Sequence, residues 1–418
     1  MPLGIKTMIF PRRFVLGPGV LGISGKQIVI YTKKPLIMGG RRALDAIRKA
    51  GLQSSLEKEG VKYAEARFGE GVPYGPECCE PEIERLTKIG KEKGCDGVIA
   101  AGGGKCIDAG KAVAKNLGGE IVIIPTIAAT DAPTSALSVI YTPDHVFKEY
   151  WFYDYNPAAV IVDSKVIATA PARYLAGGMG DAASKKFEAE ACVNSGAKNL
   201  AIKPDWIGGS THLALLIGRA QYDMLLRYGE LAMESVRMGI ASPALEAIAE
   251  TNILFSGLSF ESCGLAAAHS VHNGITLLEH QIPEENRPIH GELVNFGACV
   301  EMFMEDRPTE DIRRHFVWSH KVGLPLTFQE IGFKPGEPTD EQLWKAAEKA
   351  CAAGETIHVM YVHGAKELGA YKNPSNLAET VYTCMKAVDQ LGKTVSKEYP
   401  RASYEAKWVP YDAFVRKH

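Results

Sequence analysis

Along the first part of the chain, short apolar runs alternate with amphipathic stretches. Gln27–Tyr31, Val61–Arg67, Gly97–Ala101 and Glu120–Ile124 read as strands, while Arg41–Ala50, Glu82–Lys93 and Ile107–Lys115 carry apolar residues at helical spacing. Such alternation predicts a parallel sheet covered by helices. The runs VIAAGGG (98–104) and IVIIPT (121–126) are continuously apolar at their start, as strands buried on both faces are. Leu137–Thr142 and Phe147–Tyr155, joined through Pro143-Asp144-His145, read as a hairpin. After Ala158–Asp163 the strand signals fade. From about Pro171 onward, apolar-periodic helices broken by Gly and Pro follow one another. The boundary is placed at Ala168–Pro171, dividing an α/β segment, 1–170, from a helical segment, 171–418. No internal repeat stands out, and Thr394–His418, with Pro400 and Pro410, reads as an extended tail.

Composition narrows the function classes. A chain of 418 residues, 46% apolar and 23% charged, has the make-up of a folded two-domain protein rather than a disordered one. Its 47 basic and 49 acidic residues are dispersed, giving a net charge of -2 and no polycationic surface for nucleic acid or anionic lipid. The start, MPLGIKTMIFPRRF, has no long apolar segment behind its basic residues, and no run approaches the roughly 20 apolar residues that span a bilayer. A cytoplasmic protein is expected. Nine scattered cysteines, without CxxC pairs, suit buried thiols in a reducing compartment.

Three places could carry chemistry. Gly102-Gly103-Gly104-Lys105 follows a strand and opens a helix containing Asp108 and Lys111. Such a turn lets backbone amides approach a pyrophosphate, although it matches neither GxGxxG nor GxxxxGK[ST] and also suits an ordinary tight turn. Ile124–Ser135 gathers hydroxyls around Asp131 at the end of a strand, where α/β proteins bind ligands and where capped loops also occur. Asp181 lies in GGMGDA (177–182), where the glycines read as preceding a helix that runs through Lys185–Ala191; a capping role is the ordinary use of Asp there. His269 and His272, three apart in GLAAAHSVHNG (264–274), share a helix face, and His290 opens HGE. Singly, each is an ordinary structural residue. Together, two imidazoles and a carboxylate leave open the coordination positions that a catalytic metal needs.

The ordered set GGGKxxDxxK (102–111), IPTIAATDAPTSALSVIYT (124–142), GGMGDA, GLSFESCGLAAAHSVHNG (257–274) and HGE closely resembles the glycerol dehydrogenases of the iron-containing (group III) alcohol dehydrogenase superfamily. The similarity runs from about residue 10 to AVDQLG (387–392). The resemblance implies a Rossmann-like α/β domain followed by an all-α domain, a dehydroquinate synthase-like architecture, with the site between them. It makes Asp181, His272 and His290 the ligands of a metal, zinc in glycerol dehydrogenases and iron in many relatives. It places Gly104, Lys105, Asp108, Thr126, Ser135, Leu137 and Tyr141 along a nicotinamide dinucleotide. It sets Asp131 against substrate hydroxyls and His269 beside the nicotinamide, the two residues expected to serve catalysis. The implied reaction is hydride transfer from a vicinal diol, glycerol to dihydroxyacetone, with NAD, in a homo-oligomer that is often an octamer.

Some residues depart from the family pattern. An acidic residue usually follows the first strand and holds the adenosine ribose; here the strand read at Gln27–Tyr31 runs into Thr32-Lys33-Lys34, which opens NADP as an alternative, a solvated turn being the other account. Ala129 stands where a family Ser often meets the cofactor, and Ile202–Ser210 and the tail after Lys393 look like additions. Dehydroquinate synthase-like and glycerol-1-phosphate dehydrogenase-like enzymes share the architecture but need cations for a phosphorylated substrate. TDAPTSA (130–136) supplies none, which favours a polyol or amino alcohol. A noncatalytic nucleotide- or metal-binding regulator is the remaining reading from another class.

Overall fold

The computed structural model describes residues 4–201, 208–360 and 374–399. Its centre is a six-stranded sheet in the order β1-β8-β5-β4-β2-β3, with every pair parallel. The strands are β1 (Phe14–Gly17), β2 (Pro35–Gly39), β3 (Ala64–Arg67), β4 (Gly97–Gly102), β5 (Glu120–Pro125) and β8 (Ala159–Asp163). β2, β4 and β8 are buried along their whole length. Because side chains alternate across a strand, their apolar residues divide between two cores: Leu36, Met38, Val98, Ala100, Val160 and Val162 join one, and Ile37, Ile99, Ala101, Ala159 and Ile161 the other. The predicted hairpin is present as β6 (Leu137–Tyr141) and β7 (Phe147–Phe152), antiparallel and outside the main sheet.

Four details differ from the sequence reading. Gln27–Tyr31 is not a strand: Gly25–Ile28 is a short helix, and the strand is Pro35–Gly39. A brief apolar run fits either element, and here Ile28 buries itself from a helical turn. Lys33 and Lys34 therefore stand at the amino end of β2, where their backbone N–H groups donate to the Asp96 carboxylate at 3.0 and 2.8 Å. The carboxyl end is formed by Gly39 and Gly40, followed by Arg41 and Arg42. β1, unread in the sequence, pairs with β8 from Phe14↔Val160. The glycines of GGMGDA do not precede a helix but lie inside one, Ala172–Ser195, so Asp181 is a mid-helix residue and not a cap. The reason is close approach, since a Cβ on Gly178 would stand 2.0 Å from the Ala128 carbonyl oxygen and one on Gly180 2.4 Å from that of Gly291. Finally, Pro374–Glu398 is one helix, so Thr394–Glu398 continues it rather than starting an extended tail. Residues 400–418, and 202–207 of the other added segment, lie outside the described residues.

Beyond β8 the described residues form helices and connections without strands. Ala172–Ser195 packs between His290–Met304 and His212–Arg237, and Ala267–Thr276 lies against His290–Met304. Among the described residues, no helix is long and apolar enough to cross a membrane.

Candidate functional site

The carboxyl ends of β4 and β5 bring the first two motifs together. β4 ends at Gly102, Gly103 is extended, and the helix begins at Gly104, while the Thr126 N–H donates to the Gly102 carbonyl at 3.1 Å. Gly104 faces the Thr130 methyl at a distance that a Cβ would tighten to 3.3 Å, so the glycine turn lies against the 126–135 loop. Behind them the Lys111 ammonium donates to Asp108 Oδ1 at 3.0 Å, Ser135 Oγ at 3.1 Å and the Leu137 carbonyl at 2.7 Å. Asp108 Oδ2 accepts the Val139 N–H at 3.1 Å. Asp108, Ser135 and Leu137 are thus gathered around one buried lysine. Lys105 pairs with the buried Glu77 at 2.7 Å, and Tyr141 sets its ring edge-on to Phe147 with centroids 6.2 Å apart.

The third motif is assembled from three helices. Asp181, Lys185 and Glu188 follow i, i+4, i+7 spacing on Ala172–Ser195 and share its inward face. His269 Nδ1 lies 2.9 Å from Glu188 Oε2, which directs Nε2 towards Asp181 Oδ1, 3.5 Å away. His290 opens its helix with Nε2 3.8 Å from the same oxygen, and its Nδ1 lies 3.0 Å from His272 Nε2. Donor atoms of Asp181, His269 and His290 all lie within 4.8 Å of one another, and His272 adjoins them through His290. Asp181 is buried, whereas the His290 side chain is 44% exposed, so the cluster opens on the His290 side.

Asp131 meets this cluster from the loop. Its Oδ2 accepts the Ser256 hydroxyl at 2.7 Å and lies 3.5 Å from Lys185 Nζ. The loop is pinned by Thr251–Phe255, a wide π-turn between two α-helices. Thr134 Oγ1 donates to the Ile253 carbonyl at 3.1 Å, and Asn252 Nδ2 donates to the Ala128 carbonyl at 2.9 Å. Such a bulge re-aims the residues after it, here Ser256.

Charge in the cluster follows from burial opposed by partners. Burial pushes the Asp181 carboxyl up, but Lys185, His269 and His290 outweigh it and hold it well below the usual range. Burial likewise opposes ionisation of Glu188, and His269 brings it down to about 2. For Lys185, burial favours the neutral amine, and Asp181, Asp131 and Glu188 reverse that, raising its pKa. Burial and the neighbouring His290 push His272 well down, leaving a neutral imidazole.

Of the twelve residues singled out in the sequence, Asp181, His269, His272 and His290 form the helical cluster and Asp131 meets it from the loop, while Gly104, Lys105, Asp108, Thr126 and Ser135 follow the carboxyl ends of β4 and β5, and Leu137 and Tyr141 lie on β6. Lys185, Glu188 and Ser256 were missed. The helical spacing from Asp181 would have pointed to the first two once Asp181 was known to lie inside a helix; nothing local marked Ser256.

The iron-containing alcohol dehydrogenase family model matches residues 11–164. The chain is 43% identical over 354 residues to a glycerol dehydrogenase of Thermotoga maritima, covering 85% of this chain and 92% of that protein. It is 38% identical over 355 residues to a glycolaldehyde reductase of Halobacterium salinarum, covering 84% and 92%. The crystal structure of Schizosaccharomyces pombe glycerol dehydrogenase superposes with a TM-score of 0.81 at 31% identity, covering 95% of this chain and 93% of that one. The chain belongs to the iron-containing alcohol dehydrogenase family.

Proposed function

We propose that the protein is a metal-dependent dehydrogenase that moves a hydride between a vicinal diol, glycerol in the first instance, and a nicotinamide dinucleotide. The observation that carries this reading is the convergence of Asp181, His269, His272 and His290 beside Asp131, at the carboxyl edge of a parallel sheet. The donor set fits a divalent first-row cation, with two or three imidazoles and one carboxylate oxygen converging from a side open to solvent. Following the family motif, Asp181, His272 and His290 would hold the ion and His269 would face the nicotinamide. The 4.8 Å grouping offers His269 as a rival ligand. Such an ion supplies Lewis acidity towards an alcohol oxygen, and the dinucleotide accepts the hydride.

The chain's own residues do the rest. Asp131, fixed by Ser256, accepts a hydrogen bond from the second hydroxyl, which selects a diol over ethanol. Glu188 orients His269. The glycine turn at Gly102–Gly104 exposes backbone N–H groups to the pyrophosphate. Zinc is favoured by the resemblance to glycerol dehydrogenases, and Fe2+ suits the same donors.

The dinucleotide has a second reading carried by a specific observation. With the strand relocated, the residues at the carboxyl end of β2 are Gly39, Gly40, Arg41 and Arg42, and the first turn of that helix holds no acid. Gly39 pairs with Ala101 of β4, so this end lies beside the glycine turn, and Arg67 of β3 is in register with Gly39. The first turn of that helix carries no carboxylate to repel a 2′-phosphate and its arginines can receive one, which sets NADP beside NAD, although Arg67 is itself paired with Glu70 at 3.8 Å.

A spectrophotometric panel of NAD and NADP against glycerol, 1,2-propanediol, dihydroxyacetone and glycolaldehyde tests both readings. Turnover of a diol or its hydroxycarbonyl, lost with a chelator and regained with zinc, is expected. Metal and dinucleotide bound without turnover of any of these would replace the dehydrogenase with a binding protein. For the coenzyme, Arg41→Ala with Arg42→Ala should raise KM for NADP roughly tenfold and leave KM for NAD alone. A pair of unchanged constants would remove the arginines from the account.

A further inference from the structure

One buried cation in the cluster has no place in the reaction above. The Lys185 side chain is 1% exposed, and its ammonium stands 2.5 Å from Asp181 Oδ1, 3.3 Å from the Asp181 carbonyl, 3.4 Å from His269 Nε2 and 3.5 Å from Asp131 Oδ2. Asp181 and His269 are two of the three residues whose donor atoms lie within 4.8 Å of one another, and Asp181 is a ligand whichever histidines complete the set. The ammonium therefore contacts the oxygen that an incoming cation must take, and it lies between the carboxylate of the helix and the carboxylate of the loop.

We propose that Lys185 is the built-in counter-cation of the metal site. It neutralises Asp131 and Asp181 while no ion is bound, and it weakens divalent-ion binding because the ion must displace it from Asp181 Oδ1. The proposal rests on the reading of this cluster as a metal site.

The physical argument is one of competing charges. Asp131, Asp181 and Glu188 place three carboxylates in the buried wall, and without a positive partner their mutual repulsion and lost hydration would oppose folding. A metal site made only of such acids and imidazoles depends on its ion for that compensation. Lys185 removes the dependence. The consequence at binding is repulsion: an ammonium and a divalent ion a few ångströms apart in a poorly solvated site oppose each other strongly, and only the rotation of the lysine's flexible stem relieves it. A lysine at i+4 from the carboxylate is well placed for this, since its ammonium lies 2.5 Å from Asp181 Oδ1 and 3.5 Å from Asp131 Oδ2 and can keep the second contact when the first is taken.

The test is the zinc dissociation constant of the full-length chain, measured by competition with a chromogenic chelator, for the wild type, Lys185→Gln and Lys185→Arg. Lys185→Gln should bind zinc at least tenfold more tightly, and its metal-free form should melt lower and gain more from zinc than the wild type does. Lys185→Arg, which keeps the charge, should stay near the wild-type constant. An unchanged or weaker constant in Lys185→Gln, with the wild type binding zinc, overturns the counter-cation and leaves the metal site standing. Zinc bound by neither protein overturns the metal site itself and this proposal with it. Should Lys185→Gln not fold, crystal structures of the wild type with and without zinc decide. The ammonium should leave Asp181 Oδ1 when zinc is seated, and an ammonium still hydrogen-bonded there beside the ion refutes the competition.

Discussion

At the sheet edge the Lys111 ammonium is enclosed by three protein acceptors, Asp108, Ser135 and the Leu137 carbonyl, and the Asp108 carboxylate is closed in turn by the Val139 N–H. In the helical cluster Lys185 faces two carboxylates from different segments, beside imidazoles that converge on one of them. The first network is finished without a ligand. The second holds donors of one metal's chemistry at distances an ion could close. The difference lies in how the polar groups are used: at the edge the buried side chains satisfy one another, whereas in the cluster side-chain donors converge on a common position.

The comparison breaks first at Lys111. Lys111→Met would leave the buried Asp108 carboxylate and the Leu137 carbonyl short of their donor, and removal of one partner from a buried ion pair costs about 3–5 kcal/mol. Urea denaturation should show a loss of that size. A loss below about 1 kcal/mol would mean that this network is not the closed scaffold its distances describe.

Gly178 tests how the two regions are held together. A Cβ there meets the Ala128 carbonyl at 2.0 Å, backbone against backbone, so the helix and the Asp131 loop must separate. Gly178→Ala should cost about 3 kcal/mol, the upper range for overpacking, and should also raise KM for the diol. The fair control is Gly118→Ala in the sheet region, where φ is +69° and nothing lies within 4 Å; only the left-handed backbone is strained, at about 1 kcal/mol.

His272→Ala sharpens the comparison at the metal. Turnover should fall roughly a hundredfold or more, since even partners behind a ligand are worth up to that, and bound zinc should fall with it. His269→Ala should keep its zinc if His269 serves the nicotinamide. Zinc lost from His269→Ala and retained by His272→Ala would exchange their roles.

The two regions also differed in what their sequences revealed. Strands β4, β5 and β8 were legible because burial on both faces demands continuous apolar runs, and the hairpin because of its Pro-Asp turn. β2 was misplaced by eight residues, from Gln27 to Pro35, since Gln27–Tyr31 and Pro35–Gly39 are both apolar and only packing decides between them. That slip moved the coenzyme argument from Lys33-Lys34 to Arg41-Arg42, at the opposite end of the sheet. In the helical region the motif residues were legible by resemblance, but their local setting was not. Glycines read as a helix start are sites of close approach, and Lys185 and Glu188 become visible only when Asp181 is placed mid-helix.

His315 offers the smallest and most specific contrast. It is fully buried on Thr309–Val322, stacked on Tyr222 with centroids 5.8 Å apart and bonded to its hydroxyl at 3.1 Å, and burial pushes its pKa down to about 3. A histidine depressed in the folded state stays neutral there while the unfolded chain takes up the proton. Its contribution is therefore complete above the ordinary value of 6.5 and is lost as pH falls below it. His315→Phe removes that proton. Relative to its own value at pH 7.5, the variant should lose about 1 kcal/mol less stability than the wild type by pH 5.5. Parallel acid limbs for the two proteins would show that His315 accepts a proton in place, and that the helical core around it tolerates charge well away from the cluster built to hold it.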